Sequence, residues 1–178
     1  STKPNIVIFT FSVKVDKKMI QKGVKVRLTD DLRWKRCDIK SISLLPNVLE
    51  KQIAYEKGMY ESWQKRSEFI TEGSTSNAFI VNEKGEIQTH PANNLILGGV
   101  TRDTVIEIAK NNKLTVKEES FSTSDLFLSK EAFLTSTTAR VLPVIKVDNK
   151  KVSNGKPGRI TKILIEKYDD LIKNQIYV

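Results

Sequence analysis

The sequence predicts an α/β (α+β) domain in which a mixed sheet is flanked by helices. Short segments rich in β-branched and aromatic residues alternate with stretches of helical apolar spacing, and glycine and proline clusters separate the two kinds. A chain of 178 residues with 39% hydrophobic content can bury one sizeable core, so no second domain is needed within it.

Ile6 to Val13 reads as an opening strand, and Val24, Val26 and Leu28 alternate with polar residues as a second. From Leu44 to about Trp63, the spacing of Leu45, Val48, Leu49 and Ile53 predicts a helix. Ser43 is placed to cap it, and Pro46 is tolerated because it falls in the first turn. Phe79 to Asn82 and Ile87 to Thr89 form a predicted hairpin around Glu83-Lys84-Gly85, where Gly85 can take a positive φ. A second helix runs from Arg102 to about Asn112, with Val105, Ile106 and Ala109 on its packed face. Val116 to Phe121 is a short strand, and Ser124-Asp125-Leu126 begins another helical turn. Phe133-Leu134 and Val141 to Val147 read as paired strands, with Pro143 requiring an edge or a bulge. Gly155-Lys156-Pro157-Gly158 then breaks the chain before a last amphipathic helix carrying Ile160, Ile163, Leu164, Tyr168, Leu171 and Ile172.

Composition narrows the function classes. The N-terminus lacks the regions of a secretory signal, and no apolar run approaches the ~20 residues needed to cross a bilayer, so a cytoplasmic protein with no membrane partner is expected. A single cysteine, Cys37, forms no internal disulfide and fits a reducing compartment. The formal charge of +9 raises a nucleic-acid partner. The lysines are nevertheless dispersed, with no basic tract interleaved by aromatics, and solvated faces account for most of them. No nucleic-acid partner and no metal site are therefore expected. His90, the only histidine, stands before Pro91 and reads as a structural hydrogen-bonding residue.

Four segments carry chemistry. Lys40 lies in Arg36-Cys37-Asp38-Ile39-Lys40-Ser41, where an extended segment turns into a helix. Burial there, with Arg33, Lys35 and Arg36 nearby, would lower the amine's pKa and free it to attack carbonyls; a solvated surface lysine is the ordinary alternative. Thr71-Glu72-Gly73-Ser74-Thr75-Ser76-Asn77 places one carboxylate before a run of small polar side chains. Leu97-Gly98-Gly99-Val100-Thr101-Arg102-Asp103 leads two glycines into a helix whose first N–H groups are unpaired and favour an anion. Thr135, Ser136, Thr137 and Thr138 are consecutive hydroxyls at a strand end, neutral donors for phosphate oxygens. Together they describe a phosphate ester held beside a lysine and a carboxylate.

In order and wording, the segments RCDIKS, EGSTSN, THPANN, ILGGVTRD, LTSTT and GKPGRIT resemble the fold-type IV pyridoxal-phosphate enzymes, and within them the bacterial D-amino acid (D-alanine) aminotransferases. The resemblance implies that residues 1–178 are the cofactor-binding large domain, a mixed sheet or pseudo-barrel, and that a smaller domain of roughly a hundred residues, present in the family, has no counterpart in this sequence. It implies pyridoxal 5'-phosphate as cofactor. Lys40 would carry it covalently and move a proton at the substrate Cα, and Glu72 would pair with its ring nitrogen. Leu97 would pack on the ring face, while the N–H groups of Val100 and Thr101 and the hydroxyl of Thr137 would hold the phosphate. Thr75, Ser76, Ser136 and Thr138 would line the substrate side. Arg140 is given no role. The reaction implied is amino-group exchange between a D-amino acid, D-alanine first, and a 2-oxo acid such as 2-oxoglutarate, in a homodimer when the smaller domain is present. A branched-chain L-amino acid aminotransferase, an aminodeoxychorismate lyase and an inactive cofactor-binding fragment are the alternatives.

Overall fold

The computed structural model describes residues 3–13 and 16–176. Its first element is a short helix, α1 (Lys17–Lys22), that the sequence patterns did not suggest. Asp16 caps it by accepting from the Lys18 N–H at 2.8 Å, and Gly23 ends it at φ 75°, where a Cβ would run into Ile145.

Among the described residues, nine strands form one mixed sheet: β1 (Val24–Asp30), β2 (Glu61–Arg66), β3 (Phe69–Gly73), β4 (Asn77–Val81), β5 (Ile87–Thr89), β6 (Val116–Glu118), β7 (Glu131–Ser136), β8 (Arg140–Val147) and β9 (Lys150–Lys151). The order is β3-β2-β1-β8-β7-β4-β5-β6, with β9 attached to β8. β1 runs parallel to both β2 and β8, and β5 runs parallel to β6; the other pairs are antiparallel. The sheet curls into a half-barrel. Its two ends are drawn together where Ile70 donates to the Phe121 carbonyl at 3.0 Å and Thr123 donates to that of Glu68 at 2.9 Å.

Parallel neighbours require crossovers. Helix α2 (Leu45–Glu56) makes the one from β1 to β2, and α3 (Val100–Asn111) the one from β5 to β6. α4 (Thr123–Leu128) is held by a capping box between Ser122 and Asp125, and α5 (Arg159–Ile176) closes the chain. The loops entering α2 and α3 leave the carboxyl ends of β1 and β5, the place where such sheets leave a crevice for a ligand.

Alternation along the strands sorts two apolar faces. Ala78, Ile80, Ala132, Leu134, Leu142 and Val144 join Val26, Trp63 and Leu126 in one cluster. Phe79, Val81, Phe133 and Val141 turn the other way and pack with Val105, Ile106 and Ala109 of α3 and Leu164 of α5. The Phe79 and Phe133 rings stack there with centroids 4.7 Å apart. Glu131 secures the start of α5 by accepting from the N–H groups of Ile160 and Thr161 at 2.9 and 2.8 Å.

The mixed sheet with flanking helices is the predicted class, but the expected opening strand and the first long helix differ from what was expected, while Pro143 meets its expectation. Ile6 to Val13 has no ladder partner among the described residues, and its apolar side chains are exposed: alternation marks the capacity to pair, which only a neighbouring strand can satisfy. The helix expected to reach Trp63 stops at Glu56, followed by Gly58 at φ 65°, and its N-cap is Leu44 rather than Ser43. The chain continues there as β2, a strand whose Glu61, Ser62, Trp63 and Gln64 are all buried. Pro143 lies inside β8 opposite Phe133, but β1 begins to pair only at Val144, beside a register shift. That is the irregular setting expected for a residue without an N–H.

No helix among the described residues is long and apolar enough to cross a membrane.

Candidate active site

A cavity of about 1090 Å³ opens where the loop after β1, the β3–β4 turn, the start of α3 and the end of β7 converge. Lys40, Glu72, Thr75, Ser76, Leu97, Val100, Thr101, Ser136 and Thr137 all line it. These residues span much of the chain, yet the fold gathers them around one space. Thr138, assigned with them from the sequence, is exposed at the β7–β8 turn and is not among the lining residues.

Glu72 is the most constrained group. Its side chain is 7% exposed. Asn77 Nδ2 donates to Oε2 at 3.1 Å, the Leu97 N–H is shared between both oxygens at 3.1 and 3.2 Å, and Arg33 Nη1 pairs with Oε1. Three donors thus make four contacts, two on each oxygen, and a further N–H would have to share an oxygen with the Leu97 N–H. Burial pushes the Glu72 carboxyl up to about 7, against the pull of Arg33 and the Leu97 N–H.

The lysine side is built differently. Lys40 is exposed on the cavity wall, not buried as the sequence suggested. Two of the three cations expected to act on it are engaged elsewhere: Arg36 pairs with Asp38 at 2.9 Å, and Arg33 lies between Asp31 and Glu72. Cys37 is buried, with Sγ donating to the Trp34 carbonyl at 3.2 Å, and burial raises its thiol pKa. It is a packed side chain on the cavity wall.

Gly99 caps α3 without a side-chain bond, which leaves the first N–H groups of the helix facing the cavity mouth. A Cβ at Gly99 would run into the Asn77 amide, the group that also bonds Glu72 and the Leu97 carbonyl at 2.8 Å. Only glycine lets the helix start sit this close to Glu72. Two buried wall hydroxyls, Thr135 Oγ1 and Ser74 Oγ, have no protein partner among the described residues. An open helix N-terminus, orphaned hydroxyls, an amine and a buried carboxylate form a set that fits a phosphorylated heterocycle bearing a carbonyl.

Several contributors escaped the sequence reading. Asp31 and Arg33 form the charged network behind Glu72. Glu61, fully buried in β2, accepts from the Thr75 N–H and hydroxyl at 3.0 and 2.8 Å and from the Ser76 hydroxyl. The hydroxyl protons of Thr75 and Ser76 are thus taken up by Glu61, and only their oxygens remain as acceptors toward the cavity. Asn47 of α2 donates to the Ser74 carbonyl at 2.9 Å, tying the helix to the same turn. Arg140 pairs with Asp169 of α5 at 2.7 Å and does not line the cavity. His90 faces the Pro91 carbonyl at 2.9 Å, and burial lowers its pKa, in keeping with a structural part.

Residues 1–147 match the model of the amino-transferase class IV family. The chain belongs to the class IV aminotransferases. Among similar proteins, the D-alanine aminotransferase of Staphylococcus aureus (strain COL) is 42% identical over 172 residues, which are 97% of this chain and 61% of that protein. That of Bacillus licheniformis is 40% identical over 159 residues, 89% of this chain and 56% of that protein. This class IV chain therefore spans about 60% of the length of the curated relatives it matches. Among solved structures, the branched-chain amino acid aminotransferase of Escherichia coli superposes with a TM-score of 0.79 at 27% identity, covering 92% of this chain and 55% of that one. The T.th. branched-chain amino acid aminotransferase with pyridoxamine 5'-phosphate superposes with a TM-score of 0.81 at 26% identity, covering 91% and 54%.

Proposed function

We propose that this chain is the cofactor-binding part of a pyridoxal 5'-phosphate-dependent aminotransferase that exchanges an amino group between a D-amino acid, D-alanine first, and a 2-oxo acid such as 2-oxoglutarate. The observation that carries the reading is the convergence of Lys40, Glu72, the open start of α3 and the hydroxyls of Thr135 and Thr137 on one cavity. When bound, the cofactor supplies a ring that accepts electrons from the substrate Cα and a carbon that stores the amino group.

The protein's own part is positioning and proton movement. Lys40 holds the group covalently and moves a proton at the substrate Cα; its exposure on the wall gives the amine access to both. Glu72 faces a protonated ring nitrogen, which shares its oxygens with the bifurcated Leu97 N–H. The N–H groups of Val100 and Thr101 and the hydroxyl of Thr137 receive the phosphate, with Thr135 as a further donor. Leu97 packs on the ring, and Thr75, Ser76 and Ser136 border the substrate.

D-alanine is supported by the names of relatives near 40% identity. A branched-chain L-amino acid is the second reading, supported by the names of the structural neighbours at 26–27% identity. The rest of the relatives' length is where we place the groups that receive the substrate carboxylate, and a second copy of the whole enzyme completes a homodimer in a reducing, cytoplasmic setting. The test is the absorbance spectrum of the chain mixed with pyridoxal phosphate, for wild type and Lys40→Ala, followed by D-alanine or L-leucine. A Lys40-dependent band that D-alanine alone shifts is expected. The same band with both variants refutes Lys40 as anchor, and a shift with L-leucine alone establishes the second reading.

A further inference from the structure

Behind Glu72 lies a second buried carboxylate that no sequence motif marks. The Asp31 side chain has no solvent exposure. It accepts from the Arg33 N–H at 3.0 Å, from Arg33 Nε and Nη2 at 2.9 and 2.8 Å, from Arg66 Nε at 3.0 Å and from the Thr71 hydroxyl at 3.1 Å. Five donors converge on one carboxylate. Burial pushes its pKa up, and the bonds from Arg33 and Arg66 more than offset that push, holding it below the usual carboxylate range.

The guanidinium of Arg33 is thereby fixed edge-on. Asp31 takes Nε and Nη2 in a fork, the Leu95 carbonyl accepts from Nη2 at 3.2 Å, and the remaining edge presents Nη1 to Glu72. Arg66 reaches from β2 to the same loop, donating to the Arg33 and Trp34 carbonyls at 3.1 and 2.7 Å. Two cations and two carboxylates balance in one cluster. Asn77 and the Leu97 N–H, which complete the surroundings of Glu72, are neutral, and Lys40 stands on the wall of the same cavity.

We infer that Arg33, locked in place by Asp31, is a positioning residue for Glu72: it favours the ionised carboxylate and aims it into the cavity, and it ties the loop carrying Lys40 to the strand carrying Glu72. The inference deepens the proposed function, since an ionised Glu72 is what a protonated ring nitrogen requires. Desolvation alone drives a buried carboxyl toward its neutral form, and Arg33 is the largest influence opposing it. A lysine could not take the same part, because a point charge cannot fork onto Asp31 and reach Glu72 at once.

The test needs no cofactor, so it is independent of whether pyridoxal phosphate binds. With ¹³C-labelled glutamate, the Glu72 carboxyl is titrated by NMR in wild type, Arg33→Gln and Arg33→Lys, its signal assigned by Glu72→Gln. The wild-type midpoint near 7 is expected to rise by at least one pH unit in Arg33→Gln, a tenfold change, and by less in Arg33→Lys. An unmoved midpoint in a folded Arg33→Gln overturns the ionising role. Asp31→Asn is read by amide hydrogen exchange, which also covers the case in which Arg33→Gln does not fold. Residues 33–40 are expected to exchange at least tenfold faster while β4 and β7 keep their protection, and unchanged protection of that loop overturns the tie.

Discussion

The two walls of the cavity contrast sharply in how they are held. On the Glu72 wall, the carboxylates have protein partners: Glu72 is met by Arg33, Asn77 and Leu97, and Glu61 by Thr75 and Ser76. On the opposite wall, Lys40 is exposed, and Ile39, Ile42, Leu44, Leu45, Val48 and Leu49 around it present apolar surface to solvent. One wall is preorganised by buried polar bonds; the other is anchored at a few points, by Arg66 at the Arg33 and Trp34 carbonyls and by Asn47 at Ser74, and leaves its apolar side chains open. On the proposed function, in which a ring is fixed while the Lys40 amine attaches and releases, this division places rigidity where charge is set and freedom where bonds change.

Glu61 gives the most direct way to break the rigid wall. Removing it in Glu61→Ala strands the Thr75 N–H and the hydroxyls of Thr75 and Ser76 inside the protein and leaves a void in β2. A loss of about 2–4 kcal/mol in denaturant-derived stability is expected. A loss below about 1 kcal/mol would mean that the turn is held by its backbone alone.

A smaller effect tests the charge state of the same wall. Glu72 titrates near 7 in the folded chain, above the ordinary 4.5, so the native state binds more protons than the unfolded state between those values. Its contribution to stability is then complete below about pH 4.5 and is lost as pH rises through 7. Each unit of displacement corresponds to about 1.4 kcal/mol. Urea melts across this window are expected to weaken with rising pH in wild type and to lose that component in Glu72→Gln. An identical slope in the variant would assign the pH dependence to another group.

The same contrast explains what the sequence revealed. The Glu72 turn, the paired glycines and the hydroxyl run are local signals, because a close approach needs small residues and a helix start left open to an anion needs a cap without a side chain, and all but Thr138 of the hydroxyl run reached the cavity. β2 was hidden because three of its four buried positions, Glu61, Ser62 and Gln64, are polar, and the single apolar one, Trp63, sets no period and continues the helical reading from Leu45. Asp31 and Arg33 were equally silent. Their partners lie up to 62 residues away, so Arg33 read only as a cation near Lys40 when the fold sets it against Glu72. Ile6 to Val13 shows the converse, a clear strand pattern without a partner among the described residues.

The loose wall sets the smallest expectation. Ile42 is 99% exposed, so replacing it removes no packing that folding created. Ile42→Ser is expected to change unfolding free energy by no more than about 0.5 kcal/mol, as is usual for surface sites. The measurement is a pair of denaturant melts run beside Glu61→Ala, which serves as the positive control. A destabilisation of about 1.5 kcal/mol or more would show that Ile42 is covered in solution, and the Lys40 wall would then depend on packing no less than the wall facing it.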